Sequence, residues 1–125
     1  MTASIKTAPP NSFVLIADIV TDKGIPDFPT ESRIASTTSC IAAGCEISDD
    51  GETRFTIGPE HHVNPIGRPV FDGVVTTPNK KITVWTVELD KLLEVPVPST
   101  RTRVRVWGNR PKFPDEVVIG LSEPD

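Results

Sequence analysis

The prolines constrain this chain most. There are thirteen in 125 residues, about twice the usual share of about 5%. Twelve of them stand between the apolar runs, as Pro9-Pro10, Pro26, Pro29, Pro59, Pro65, Pro69, Pro78, Pro96, Pro98, Pro111 and Pro114, and Pro124 follows the last run. Proline inside a helix removes a hydrogen bond and clashes with the preceding turn. A chain punctuated this way makes short strands joined by fixed turns, not a helical bundle.

The runs between prolines carry the matching period. From Arg101 to Gly108 the sequence is R-T-R-V-R-V-W-G, and only a period of two sorts its arginines and valines onto separate faces. Lys81 to Leu89 (K-I-T-V-W-T-V-E-L) alternates in the same way and carries the other tryptophan. Phe13 to Ala17 is apolar throughout, which suits a strand covered on both faces or lying under a helix. Val70 to Thr76, interrupted by Asp72-Gly73, predicts a strand with a bulge. Lys91 to Val97 predicts a strand in which Pro96 marks either an edge position or the strand's end, and Val117 to Leu121 a last apolar strand. Asp49-Asp50-Gly51, between the run Cys40–Ile47 and the alternating run Thr53–Ile57, predicts a hairpin.

The expected fold is therefore all-β: an antiparallel β-sandwich of about eight short strands. At most one short helix is expected, near residues 30–37, where Thr30 can act as N-cap ahead of Ile34 and Ala35. Residues 1–125 read as a single domain with an irregular arm at 1–11. The expected core takes Phe13, Leu15, Ile47, Phe55, Ile57, Val70, Ile82, Val84, Val104, Val106, Val118 and one of Trp85 and Trp107.

Charge narrows function. The formal net charge is −4, whereas a general nucleic-acid binder is basic overall. The imbalance lies in the first half: residues 1–62 hold nine acids and four bases, residues 63–125 eight acids and nine bases. A local cationic patch remains compatible with an acidic body. No apolar run is long enough to span a bilayer, and Phe13 to Ala17 is too short for a secretory signal. Cys40 and Cys45 do not read as a disulfide framework. A cytoplasmic protein without a membrane partner is the expectation.

Arg101, Arg103, Arg105 and Trp107 are the leading candidates for a partner-binding face. Alternate strand positions lie roughly 6.5–7 Å apart, a spacing that suits carboxylates or phosphates on an extended partner, with Trp107 placed to stack a planar group. The structural alternative is an outer face whose arginines pair with acids such as Glu88 or Glu94. Asp49 and Asp50, at the predicted hairpin tip, are second candidates. His61-His62 with Cys40 and Cys45 supply zinc-type ligands, but neither pair has a zinc-site spacing, so neither a metal nor a cofactor is expected. A nucleophile–histidine–carboxylate set, for instance around His61 with Asp18 or Asp27, has no local signature. No phosphate loop or dinucleotide fingerprint occurs. The expected protein is not an enzyme. It binds a protein partner; a nucleic-acid module using the arginine strand and a small hydrolase using the His61-His62 loop are the alternatives.

The second half also carries a family likeness. T-P-N-K-K-I-T-V-W-T-V-E is followed by a short strand near Leu93–Val97, then R-V-R-V-W, and the chain closes with P-D-E-V-V-I-G-L. This order resembles the competence protein J family, small bacterial β-sandwich proteins that inhibit a companion nuclease. The first half matches in layout, with an early apolar strand, a Thr-Glu segment and the Asp49-Asp50-Gly51 turn. The resemblance implies a non-enzymatic inhibitor or immunity-type protein that caps another protein. It assigns no residue a role, because no motif matches position by position. An acidic inhibitor facing a basic nuclease fits the acidic first half.

Overall fold

The computed structural model describes residues 2–9, 12–20, 25–26, 34–45, 51–63, 65, 67–110 and 114–124. Its strands are β1 (Ala3–Thr7), β2 (Phe13–Ala17), β3 (Ile34–Ser36), β4 (Cys40–Gly44) and β5 (Thr53–Pro59), then β6 (Phe71–Thr76), β7 (Lys81–Thr86), β8 (Lys91–Pro96), β9 (Arg101–Gly108) and β10 (Glu116–Ser122). A four-residue helix, α1 (Glu60–Val63), follows β5 directly. The strands form two five-stranded sheets, ordered β1-β5-β10-β9-β6 and β3-β4-β2-β7-β8. The protein is a β-sandwich, as its punctuation and period demand.

The space between the sheets is filled by one apolar cluster. Phe55 and Ile57 of β5, Val104 and Val106 of β9, and Val117 and Ile119 of β10 meet Val14, Ile16, Ile82 and Val84 of the second sheet. Each such side chain taken from water contributes about 1.5–3 kcal/mol. The β2 run is apolar at every position because both its faces are covered. Val14 and Ile16 face the other sheet, whereas Leu15 and Ala17 join Cys40, Ala42, Val20 and Trp85 in a second cluster behind it. Buried Asp18 then accepts from the backbone N–H of Asn79 at 2.5 Å and from its side-chain amide at 3.1 Å. That pair ties the end of β2 to the turn before β7.

Several expectations are corrected. Ten strands are found among the described residues, and β5 with β10 forms a parallel pair within otherwise antiparallel sheets. Residues 3–7 are not an irregular arm: Ala3, Ile5 and Thr7 turn inward in register with Ile57, Phe55 and Thr53. Ile34 to Ser36 is strand β3, not helix, because its backbone pairs with Ile41–Ala43 of β4; Thr30 to Arg33 lie outside the described residues. β4 and β5 are not a hairpin, since they belong to different sheets. Asp49, Asp50 and Ile47 lie outside the described residues. The helix lies instead at Glu60–Val63, in a stretch expected to be loop. β6 pairs with β9 without interruption, and the register shift falls between Val84 and Trp85. Val70 is 52% exposed, ahead of β6 and outside the core, and Val118 is only half-buried on the outer face.

Candidate functional site

β9 lies inside its sheet, between β10 and β6. Its even-numbered residues Thr102, Val104 and Val106 are buried toward the core, so the arginines and Trp107 share the outer face. The cross-strand register then fixes their neighbours. Arg105 stands opposite Asp72 on one side and Gly120 on the other, and Arg103 opposite Val74 and Ser122.

Asp72 organises the arginines. Arg103 donates to it through both ends of its fork, Nε to Oδ1 at 2.9 Å and Nη2 to Oδ2 at 2.8 Å. Planar, bidentate pairing is the geometry that guanidinium and carboxylate share. Arg105 approaches the same carboxylate with Nε 3.4 Å from Oδ2 and donates from Nη1 to Glu60 Oε2 at 2.8 Å. The hydrogen bonds from Arg103, with the charge of both arginines, hold the Asp72 carboxyl below its ordinary value. One oxygen and one nitrogen of this cluster, Glu60 Oε1 and Arg105 Nε, are buried without a hydrogen-bond partner.

The face is thus two ion-paired arginines and one exposed one. Among the described residues Arg101 has no ion pair, and it stands opposite Thr76 at the far end of β9. Trp107 is 6% exposed and donates its indole N–H to the Gly67 carbonyl at 3.1 Å, so its ring is not presented for stacking. Gly120 makes room for it: a Cβ there would lie 2.9 Å from Trp107 Cζ3 and 3.2 Å from Glu60 Cγ. The glycine lets α1 and the indole lie flat across β10.

The acids proposed from sequence as arginine partners are elsewhere. Glu94 is in the other sheet, where it accepts from Thr83 at 2.8 Å and pairs with Lys81 at 3.3 Å and Lys91 at 3.6 Å. The Thr83 hydrogen bond leads in lowering its pKa. The partners missed from sequence were Asp72 and Glu60, and only Glu60 had a local signal. That signal was an acid directly after Gly58-Pro59, a helix-start pattern.

His61 and His62 are exposed on α1 with ring centroids 4.2 Å apart. Cys40 faces the cluster behind the second sheet and Cys45 the central core. Neither forms a disulfide, and burial pushes the Cys40 thiol pKa up to about 11. Asp18, a candidate for orienting His61, is committed to Asn79; Asp27 lies outside the described residues. Beside α1 a cleft of about 570 Å³ opens between the sheets, lined by Glu60, His61, Pro96, Pro98, Leu121 and Glu123 among others.

No family model and no curated protein sequence matches the chain. Two solved structures share its fold over nearly the full length. One is ComJ from Bacillus subtilis, an inhibitor of the DNA-degrading activity of NucA, with a TM-score of 0.66 over 98% of this chain and 96% of that one, at 10% identity. The other is named Crocagin biosynthetic gene J, with a TM-score of 0.52 over 99% of this chain and 96% of that one, at 9% identity. The likeness to the competence protein J family is therefore one of fold. Among the described residues no helix is long and apolar enough to cross a membrane.

Proposed function

We propose that this chain is a small, non-enzymatic, cytoplasmic protein-binding module of the inhibitor type, which occludes a partner enzyme such as a nuclease. The observation that carries the reading is the end-to-end fold likeness to a nuclease inhibitor. The net charge of −4 supports it, since an acidic body speeds encounter with a basic enzyme. The arginine strand belongs to the proposed contact through Arg101, Arg103 and Arg105. Of these, Arg103 and Arg105 are largely neutralised by Asp72 and Glu60, which weakens the nucleic-acid alternative. That alternative needs cations left free to replace the counterions of a phosphate backbone. Burial of Trp107 removes its stacking platform.

The test is capture from lysate of the source cell at low and high salt, followed by a nuclease assay on the captured protein. A protein retained at high salt, whose nuclease activity falls to background at one equivalent of added chain, is the expected outcome. Retention of nucleic acid alone, lost at high salt, refutes the reading. So does a captured enzyme whose activity is unchanged by the chain.

A further inference from the structure

The four sheet edges are unequally protected. β3 is three residues long, β8 carries Lys91 and Pro96 and a register shift, and β1 carries Lys6. β8 also packs beside β1 and β5, which closes that side of the sandwich. Short length, lysine, proline and irregular pairing are the usual devices that blunt an edge. β6, F-D-G-V-V-T, has neither lysine nor proline.

The backbone of β6 shows which groups remain free. Thr77 donates to the Thr100 carbonyl at 2.7 Å, so by alternation Val75, Gly73 and Phe71 bond β9 while Thr76, Val74 and Asp72 turn their main-chain groups outward. Thr76 confirms this parity, because its N–H donates outward to the Thr38 carbonyl at 2.8 Å. Among the described residues nothing pairs with the outward backbone of Asp72 and Val74. Among the described residues four large hydrophobic side chains are exposed, and two of them belong here: Val74 (38%) within this gap and Val70 (52%) just before β6.

We propose that the β6 edge at Asp72–Val74 is a docking site for an extended segment of a protein partner, apolar beside Val74 and ending in a carboxylate near Thr76. This rests on the protein-binding reading and names the partner's contacting chemistry. Strand addition supplies affinity through main-chain hydrogen bonds and specificity through alternate side chains. Charge selects the occupant. Exposed Arg101 stands opposite Thr76, at the end of the open stretch, with no ion pair among the described residues, which makes a carboxylate the complementary group there. A second copy of β6 brings no such group, since its one acid, Asp72, is already held by Arg103.

The test uses the full chain, isotope-labelled for NMR, and two synthetic peptides: alternating threonine and valine ending in two glutamates, and the same peptide ending in two lysines. The expected result is perturbation of the Asp72 and Val74 amides, with the glutamate peptide binding about tenfold more tightly or better. Val74→Pro removes an outward donor that the fold does not use, and should weaken that binding about tenfold. Val74→Lys, which leaves the backbone intact, should do the same and stands in if the proline variant fails to fold. Equal binding of both peptides, equal binding by the variants, or no perturbation of β6 at millimolar peptide overturns the proposal. So does a free chain whose edge amides are already protected in a dimer. If the captured partner binds parent and Val74→Pro equally, the edge proposal fails and the protein-binding reading stands. If the parent captures no protein, that reading fails while the peptide titration still judges the edge.

Discussion

Gly120→Ala tests the packing that holds α1 on the outer face. A Cβ at this position would lie 2.9 Å from Trp107 Cζ3 and 3.2 Å from Glu60 Cγ. The indole cannot swing away cheaply, because it is 6% exposed and its N–H is bonded to Gly67. Overpacking of this kind costs about 1–3 kcal/mol. Against it, alanine in place of a strand glycine lowers the entropy of the unfolded chain, a gain of about 0.4–1 kcal/mol. The net expectation is a loss of about 0.5–2 kcal/mol, or a few degrees in Tm for a domain of this size. Urea denaturation of parent and variant measures the difference. Carried out in a Trp85→Phe background, it also reports Trp107 emission, which should move to the red as the indole is pushed toward water. A variant as stable as the parent, with unchanged emission, would refute the close approach and with it the account of how α1 is seated.

Three further outcomes follow from the same geometry. The Asp72 pKa is lowered in the folded state, chiefly by its hydrogen bonds to Arg103. Its stabilising contribution is therefore present above the ordinary carboxylate pKa and lost as pH falls through the lowered one. Asp72→Asn should be the less stable form at neutral pH and should converge with the parent in acid, which thermal melts across pH 2–7 would check; parallel curves would contradict it. Cys40 and Cys45 are buried, and Cys40 sits at about 11, so neither should react with a thiol reagent at pH 8 until urea unfolds the chain. Labelling in the native state at the unfolded rate would rule that out. Leu15, 1% exposed in the cluster behind the second sheet, should cost about 2–5 kcal/mol on replacement by alanine, read from the urea midpoint; a loss below about 1 kcal/mol would mean the cluster collapses freely.

What was legible in the sequence was whatever has a local cause. The alternation of Arg101–Gly108 and Lys81–Thr86 and the apolar runs at Phe13–Ala17 and Val117–Leu121 specify strands by themselves, and Pro96 signals an edge or an end for β8. Pairing has no local cause. Asp-Gly after Cys40–Gly44 signals a turn, but it does not say that β5 crosses to the other sheet and pairs with β1 and β10. Ala3–Thr7 does alternate, yet with Ile5 as its one large apolar residue the signal is too weak to separate from an irregular arm. Ile34–Ser36 is so short that propensity cannot decide it, and only pairing to β4 makes it strand. The arginine face was read correctly as a face. That its arginines pair with acids was one of the readings; which acids was not legible, because Asp72 is 31 residues from Arg103 and Glu60 is 45 from Arg105.

Those long-range pairs change what the cationic strand offers a partner. Three arginines at alternate positions read as a ladder of charge, but Asp72 and Glu60 between them occupy two. Exposed ion pairs contribute little to stability, typically 0–1 kcal/mol each, so this cluster chiefly sets geometry. It holds α1 beside β9 through Arg105 and holds the β6 edge strand through Arg103. The two elements it positions are the ones that carry the open cleft and a strand edge whose Asp72–Val74 stretch is unpaired among the described residues. The arginine strand thus places these neighbouring elements and leaves Arg101 as the exposed cation opposite Thr76, at one end of β6.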